Sequence, residues 1–164
     1  DSFFFKDKRI KNKKILKYLD NFKDDKILEI SFEKNKYFEK ICKFIKKNGG
    51  IFLTIDYGYL NKRNNFTLQG IQNHKFSNVL DDIGNKDISS HVNFNDLLEI
   101  ALNYSLKIEE FSTQREFLIK YGIFERKKFF DNSSNYKNIE IDIERLIGKN
   151  KMGNLFKCFV VSNL

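Results

Sequence analysis

The stretch Gly49-Gly50-Ile51-Phe52-Leu53-Thr54-Ile55-Asp56-Tyr57-Gly58 decides how the chain is read. A glycine pair closes the helix before it, because glycine enters the left-handed region at a helix end without a Cβ clash. Ile51 to Ile55 then run with almost no polar interruption and are rich in β-branched and aromatic types. A short apolar run bounded by glycine predicts a buried strand covered on both faces. Such strands occur mostly in α/β proteins, where ligands bind beyond the carboxyl ends of the strands. Asp56 is expected at that end, with the site built around it.

Upstream of the strand, Ser31 is expected to cap a helix with its hydroxyl. That helix carries Phe38, Ile41, Cys42 and Ile45 on one face and Lys46 and Lys47 in its last turn. Ile27-Leu28-Glu29-Ile30 reads as a short strand. Residues 1–26 are lysine-rich, with Ile15, Leu16, Tyr18, Leu19 and Phe22 at roughly helical spacing.

Downstream, Tyr57 to Val92 shows little periodicity, yet it is too rich in Phe, Leu, Ile and Val for simple disorder. A connection of that length is usually functional, so it reads as a site-forming excursion. Both histidines of the chain, His74 and His91, fall in it. Asn93 then caps an amphipathic helix through Phe94, Leu97, Leu98, Ala101 and Leu102. Leu106-Lys107-Ile108-Glu109 alternates as an edge strand does. Thr113 and Glu116 form a capping box, and that helix stops at Gly122. Further helices are expected from near Phe124 and over 139–147, and Leu155 to Val161 is a second apolar strand.

The chain has 164 residues, enough for one domain or part of one with a real core. Hydrophobic residues at 41% and aromatics at 15% exclude a disordered chain. The formal net charge of +8 raises nucleic acid as a partner. The lysines are spread out and interleaved with acids, so a solvated basic surface is the better reading. Cys42 and Cys158 sit in apolar patterns, as buried thiols in a reducing compartment do. No apolar run reaches the roughly 18 residues of a membrane span. No Gly-x-Gly-x-x-Gly or phosphate-loop motif occurs, so a cofactor half is expected elsewhere. The chain opens on Asp1, which reads as a processed product or a fragment.

From Ile55-Asp56-Tyr57-Gly58 onward the chain resembles the MidA-type methyltransferases, which include the mitochondrial complex I assembly-factor methyltransferase. The match continues through Thr67-Leu68-Gln69-Gly70, His74, Asp87-Ile88-Ser89-Ser90-His91-Val92-Asn93-Phe94, Gln114 with Phe117-Leu118, Gly122-Ile123 and Met152-Gly153-Asn154-Leu155-Phe156-Lys157. It covers residues 27–161 in order, leaving 1–26 as a variable segment. The resemblance implies an α/β fold: the C-terminal half of a Rossmann-like class I methyltransferase sheet, strands five to seven with flanking helices. Residues 1–164 would be the C-terminal part of one methyltransferase domain. The strand at 51–56 would be the fifth, the one near 106–110 the sixth and an edge, with the last strand antiparallel between them. Where the family often has Asp, Pro and a nearby Gly, this chain has Asn93, Ile83 and Arg115.

The implied activity is S-adenosyl-L-methionine-dependent protein arginine methylation, with a respiratory complex I subunit as the substrate. The main cofactor-binding turn would lie upstream of this chain, which alone would be inactive. A protein substrate and a homodimer are the expected partners. The expected location is cytoplasmic, or mitochondrial in a eukaryote. The alternative is a non-catalytic binding or scaffold module with a basic surface.

A carboxylate can orient a guanidinium or take its proton. Asp56 and His91 are therefore the candidate catalytic residues. Tyr57, Gly58, Gln69, His74 and Asp87 are the candidate substrate-binding set. Each has a structural reading as well. Asp56 can serve a turn amide, Gln69 can satisfy its loop, and Tyr57 and Tyr59 can pack. Asp56, His74, Asp87 and His91 can also ligate metal, but no two share the tight spacing of a metal site.

Overall fold

The computed structural model describes residues 3–20, 27–59, 66–73, 75–129 and 136–164. Phe22 and His74 lie outside the described residues. The chain divides into two compact units, Asp1–Ile30 with Asn61–His91 and Ser31–Leu60 with Val92–Leu164.

The larger unit is a four-stranded sheet with helices. In chain order it holds α2 (Phe32–Asn48), β1 (Gly50–Tyr59), β5 (Val92–Asn93), α3 (Phe94–Asn103), β6 (Lys107–Thr113), α4 (Gln114–Lys120), α5 (Ile123–Lys128), α6 (Tyr136–Ile147), α7 (Met152–Leu155) and β7 (Phe156–Asn163). The strand order is β5-β1-β7-β6. β7 runs antiparallel to both β1 and β6, and β5 is parallel to β1. The last strand therefore lies between the first and an edge, as the resemblance implied. β6 is that edge, and a register shift between Ile108 and Glu110 bulges it at Glu109.

One face of this sheet carries the core. Phe38, Cys42 and Ile45 of α2, with Phe94, Leu97 and Ala101 of α3, pack on Phe159 and Val161 of β7. Aromatic rings dominate: Phe159 meets Phe111 edge-on at 5.2 Å between centroids, and Phe38 leans on Phe52 at 5.5 Å. Both cysteines are buried and free, and burial pushes each thiol up to about 11. They act as small hydrophobes there.

β1 departs from its sequence reading. Its burial alternates, with Ile51 59% exposed, Leu53 48% and Ile55 37%. Phe52 points at the core, and the intervening apolar side chains lie on the other face. Their cross-strand partners Ser162, Val160 and Cys158 on β7 are buried, and α4 packs against β7. The central strand is thus covered on both faces and β1 on one. A second correction concerns Ser31, which makes no side-chain cap bond to α2. It is exposed, so water can serve the first amides of that helix.

The helix ends otherwise follow the sequence. Gly49, with φ 74°, closes α2 by donating its amide to the Ile45 carbonyl at 2.8 Å. The Asn93 side chain accepts from the Asn95 amide at 3.2 Å, doing the capping work that an aspartate would do. Thr113 and Glu116 form the reciprocal capping box of α4. Arg115 reaches the Ile147 carbonyl at 2.7 Å with its guanidinium. α6 begins at Tyr136, earlier than the apolar spacing placed it.

The smaller unit holds α1 (Lys13–Leu19), capped by the Asn12 side chain, and an antiparallel sheet of order β3-β2-β4. Its strands are β2 (Gln69–Gln72), β3 (Lys75–Ser77) and β4 (Asp87–Ser89). The excursion after Tyr57 is therefore built, not irregular. Residues 27–30 form no strand, against the sequence expectation. The Glu29 side chain takes over the bonding there, as described below. Among the described residues no helix is long and apolar enough to cross a membrane.

Candidate functional site

The carboxyl end of β1 is where its pairing changes sides. Ladder partners run from Gly50↔Asn163 to Tyr57↔Phe156 on β7, and then Gly58↔Val92 and Tyr59↔Asn93 on β5. Asp56 lies just before this switch and inside the strand, since β1 continues to Tyr59. Its carboxylate is exposed and accepts the Tyr57 amide at 2.8 Å. That bond belongs to the structural reading, and it occupies one carboxylate oxygen. Tyr57 stacks on its cross-strand partner Phe156 with centroids 4.0 Å apart.

Gly58 has a packing reason. A Cβ there would stand 2.4 Å and 2.6 Å from ring carbons of Phe94 and 2.6 Å from the Val92 carbonyl oxygen. The Phe94 ring, fully buried, fills the space beside the strand end. Tyr59 is 9% exposed and belongs to the core, as the packing alternative had it.

Beneath this strand end lies a polar cluster that the sequence reading missed. Asp96 on the first turn of α3 is 7% exposed. It accepts from Asn93 Nδ2 at 2.9 Å, Asn35 Nδ2 at 3.3 Å and Lys34 Nζ at 3.4 Å. Lys34 also donates to the Asn93 carbonyl at 3.2 Å. Desolvation lowers the Lys34 pKa below its ordinary 10.5, and the Asp96 charge works against that shift. The start of α2 is thereby tied to the turn that carries Val92 and Asn93. The pairs are about 60 residues apart in sequence, so no local pattern announces them.

In the smaller unit, β2 and β4 bring Gln69 and Asp87 onto one sheet. Gln69 pairs with Ser89, and its Nε2 donates to the Ser89 hydroxyl at 3.3 Å. Asp87 pairs with Ile71 and is exposed. His91 stands two residues after β4 and is half-buried, and its amide donates to the Thr67 hydroxyl at 2.9 Å. Gln69, Asp87 and His91 thus share one sheet and its outgoing strand, while Asp56, Tyr57 and Gly58 share the β1 end. Among the described residues no group of three or more His, Cys, Asp or Glu side chains could hold a metal ion.

The space beside the β1 end is taken by Phe94. A cavity of about 610 Å³ opens between α4, α5 and α6, but Leu118, Ile123, Phe129, Ile139, Ile143 and Leu146 make it apolar. Glu125, Arg126 and Lys127 also line it.

A family model described as "Putative S-adenosyl-L-methionine-dependent methyltransferase" matches residues 2–112. The chain is 30% identical over 140 residues to the mitochondrial protein arginine methyltransferase NDUFAF7 of Danio rerio, covering 83% of this chain and 32% of that protein. It is 32% identical over 127 residues to the Xenopus tropicalis protein of the same name, covering 75% and 29%. The chain thus spans about a third of the length of the curated relatives it matches. Its fold is similar to that of a Burkholderia thailandensis protein whose crystal structure holds S-adenosyl-homocysteine. There the TM-score is 0.87 at 21% identity, over 99% of this chain and 44% of that one. The family match extends over more than half of the sequence, and the chain belongs to the S-adenosyl-L-methionine-dependent methyltransferase family.

Proposed function

We propose that residues 1–164 are the C-terminal part of one methyltransferase domain whose complete protein methylates arginine on a protein substrate. The observation that supports this most is the sheet order, with an antiparallel last strand between β1 and β6. It joins the family match on residues 2–112 and the arginine methyltransferases among the relatives. S-adenosyl-L-methionine supplies the methyl group, and its main binding turn belongs to sequence that this chain lacks. The contribution of this chain is on the acceptor side. Asp56 at the pairing switch orients a guanidinium by charge-assisted hydrogen bonds. His91 shares the catalytic role with Asp56 in this reading, and Tyr57, Gly58, Gln69, His74 and Asp87 are assigned to the substrate. A respiratory complex I subunit is the substrate in this reading. The location is the cytoplasm, or the mitochondrion in a eukaryote, and the protein pairs as a homodimer.

The test compares the complete protein with this chain in transfer of labelled methyl from S-adenosyl-L-methionine to arginine. The complete protein is expected to turn over, and this chain alone to be silent. Asp56→Asn in the complete protein should lower kcat about a hundredfold, a usual share for a positioned carboxylate. Unchanged turnover in that variant would leave Asp56 a turn residue. Turnover by this chain alone would overturn the division of the domain.

A further inference from the structure

We infer that Glu29 is a positioning residue for His91, acting through the Thr67 hydroxyl. The inference rests on the acceptor-side role proposed for His91. Glu29 Oε1 accepts the Thr67 amide at 3.0 Å and the Leu68 amide at 2.8 Å, and Oε2 accepts the Thr67 hydroxyl. Among the described residues the three groups bonded to this side chain are donors, so a carboxylate suits the place and a carboxamide does not. The hydroxyl has one proton, and Glu29 takes it. The hydroxyl oxygen is left to accept, and the donor it receives is the His91 amide at 2.9 Å. Thr67 is 9% exposed, so water does not substitute readily for either bond.

The direction of the relay is therefore fixed from Glu29 outward. It joins the two ends of the excursion, Thr67 before β2 and His91 after β4, which are 24 residues apart. Between them Gln69 and Ser89 are joined in the same way across β2 and β4. The bond holds the His91 backbone where the chain passes into β5 and the Asn93 cap. Nothing local in the sequence announces Glu29, because its partners stand 38 and 39 residues away.

The experiment uses the complete protein, with Glu29→Gln, Thr67→Val and Thr67→Ser. In wild type the His91 amide should be protected from hydrogen exchange. It should lose that protection in T67V and E29Q, while the β1 and β7 amides keep theirs. Methyl transfer should fall about ten- to a hundredfold in those two variants, with S-adenosyl-homocysteine affinity unchanged, and T67S should restore it. Two results would overturn the inference. One is a His91 amide that exchanges alike in wild type and T67V. The other is a loss of transfer matched by equal losses of cofactor affinity and global protection. If wild type transfers no methyl at all, the methyltransferase reading fails, and the exchange data still decide whether Glu29 fixes His91.

Discussion

At the scale of single residues, the strand end is set by contacts too close for any side chain but hydrogen. Gly58→Ala would push a methyl into the Phe94 ring and the Val92 carbonyl. The ring is fully buried and the carbonyl sits in the β5 ladder, so neither can yield cheaply. Overpacking of this kind costs about 2–3 kcal/mol, and urea denaturation should show it as a lowered midpoint at unchanged slope. A variant as stable as wild type would mean that Phe94 can move aside. The sequence announced a glycine after Asp-Tyr but not its reason, because the ring that needs the space comes from α3. Asn93 and the pair Thr113 and Glu116 were legible for the opposite cause. Their partners are within three residues, so the pattern and the bond are the same thing. Glu29 and Lys34 were not legible, since each is defined by partners from distant segments.

At the scale of elements, two devices hold helices in place and each can be removed. Thr113→Ala deletes the α4 capping box and should cost about 1 kcal/mol. Glu116 gives this cap a pH signature. Hydrogen bonds from the Thr113 amide and hydroxyl hold its pKa below the ordinary 4.5. Its contribution is complete above pH 4.5 and is lost as the pH falls through the lowered value. Glu110, held down first by its bond from Lys120, adds to the same acid-side loss. Denaturation midpoints measured down through that range should fall for wild type and fall less for Glu116→Gln. The second device is the α2–α3 tie. Asp96→Ala would remove the carboxylate that faces the partly buried Lys34 ammonium, at a cost of about 3 kcal/mol. Thermal melting should place it well below Thr113→Ala, and equal losses would make the tie incidental.

The elements also show where periodicity runs out. An apolar run says that a strand is buried but not whether a second layer reaches its far face. β7 has both faces covered and β1 has one, although the two read alike. β2, β3 and β4 are three or four residues each, too short for an alternation to register. Their region was legible only as an apolar excursion.

At the scale of the whole molecule, β1 leaves Ile51, Leu53 and Ile55 exposed in a row. Beside that row, on the β5 side, its ladder is paired among the described residues at Gly58 and Tyr59. An apolar face next to an unpaired strand edge is a template for association. Gel filtration of this chain should therefore show dimers or larger species, and Leu53→Lys should shift them toward monomer. A monomer at every concentration would contradict the homodimer and leave the face without an assigned role. The sheet order was legible because the resemblance named it.

The central claim is that this chain is the acceptor-side part of an arginine methyltransferase. Its most direct test is amino-acid analysis of a protein substrate after incubation with labelled S-adenosyl-L-methionine and the complete protein. The account predicts label in methylarginine, lost with Asp56→Asn while S-adenosyl-homocysteine still binds. Label in another residue, or cofactor binding with no transfer to protein, would contradict it.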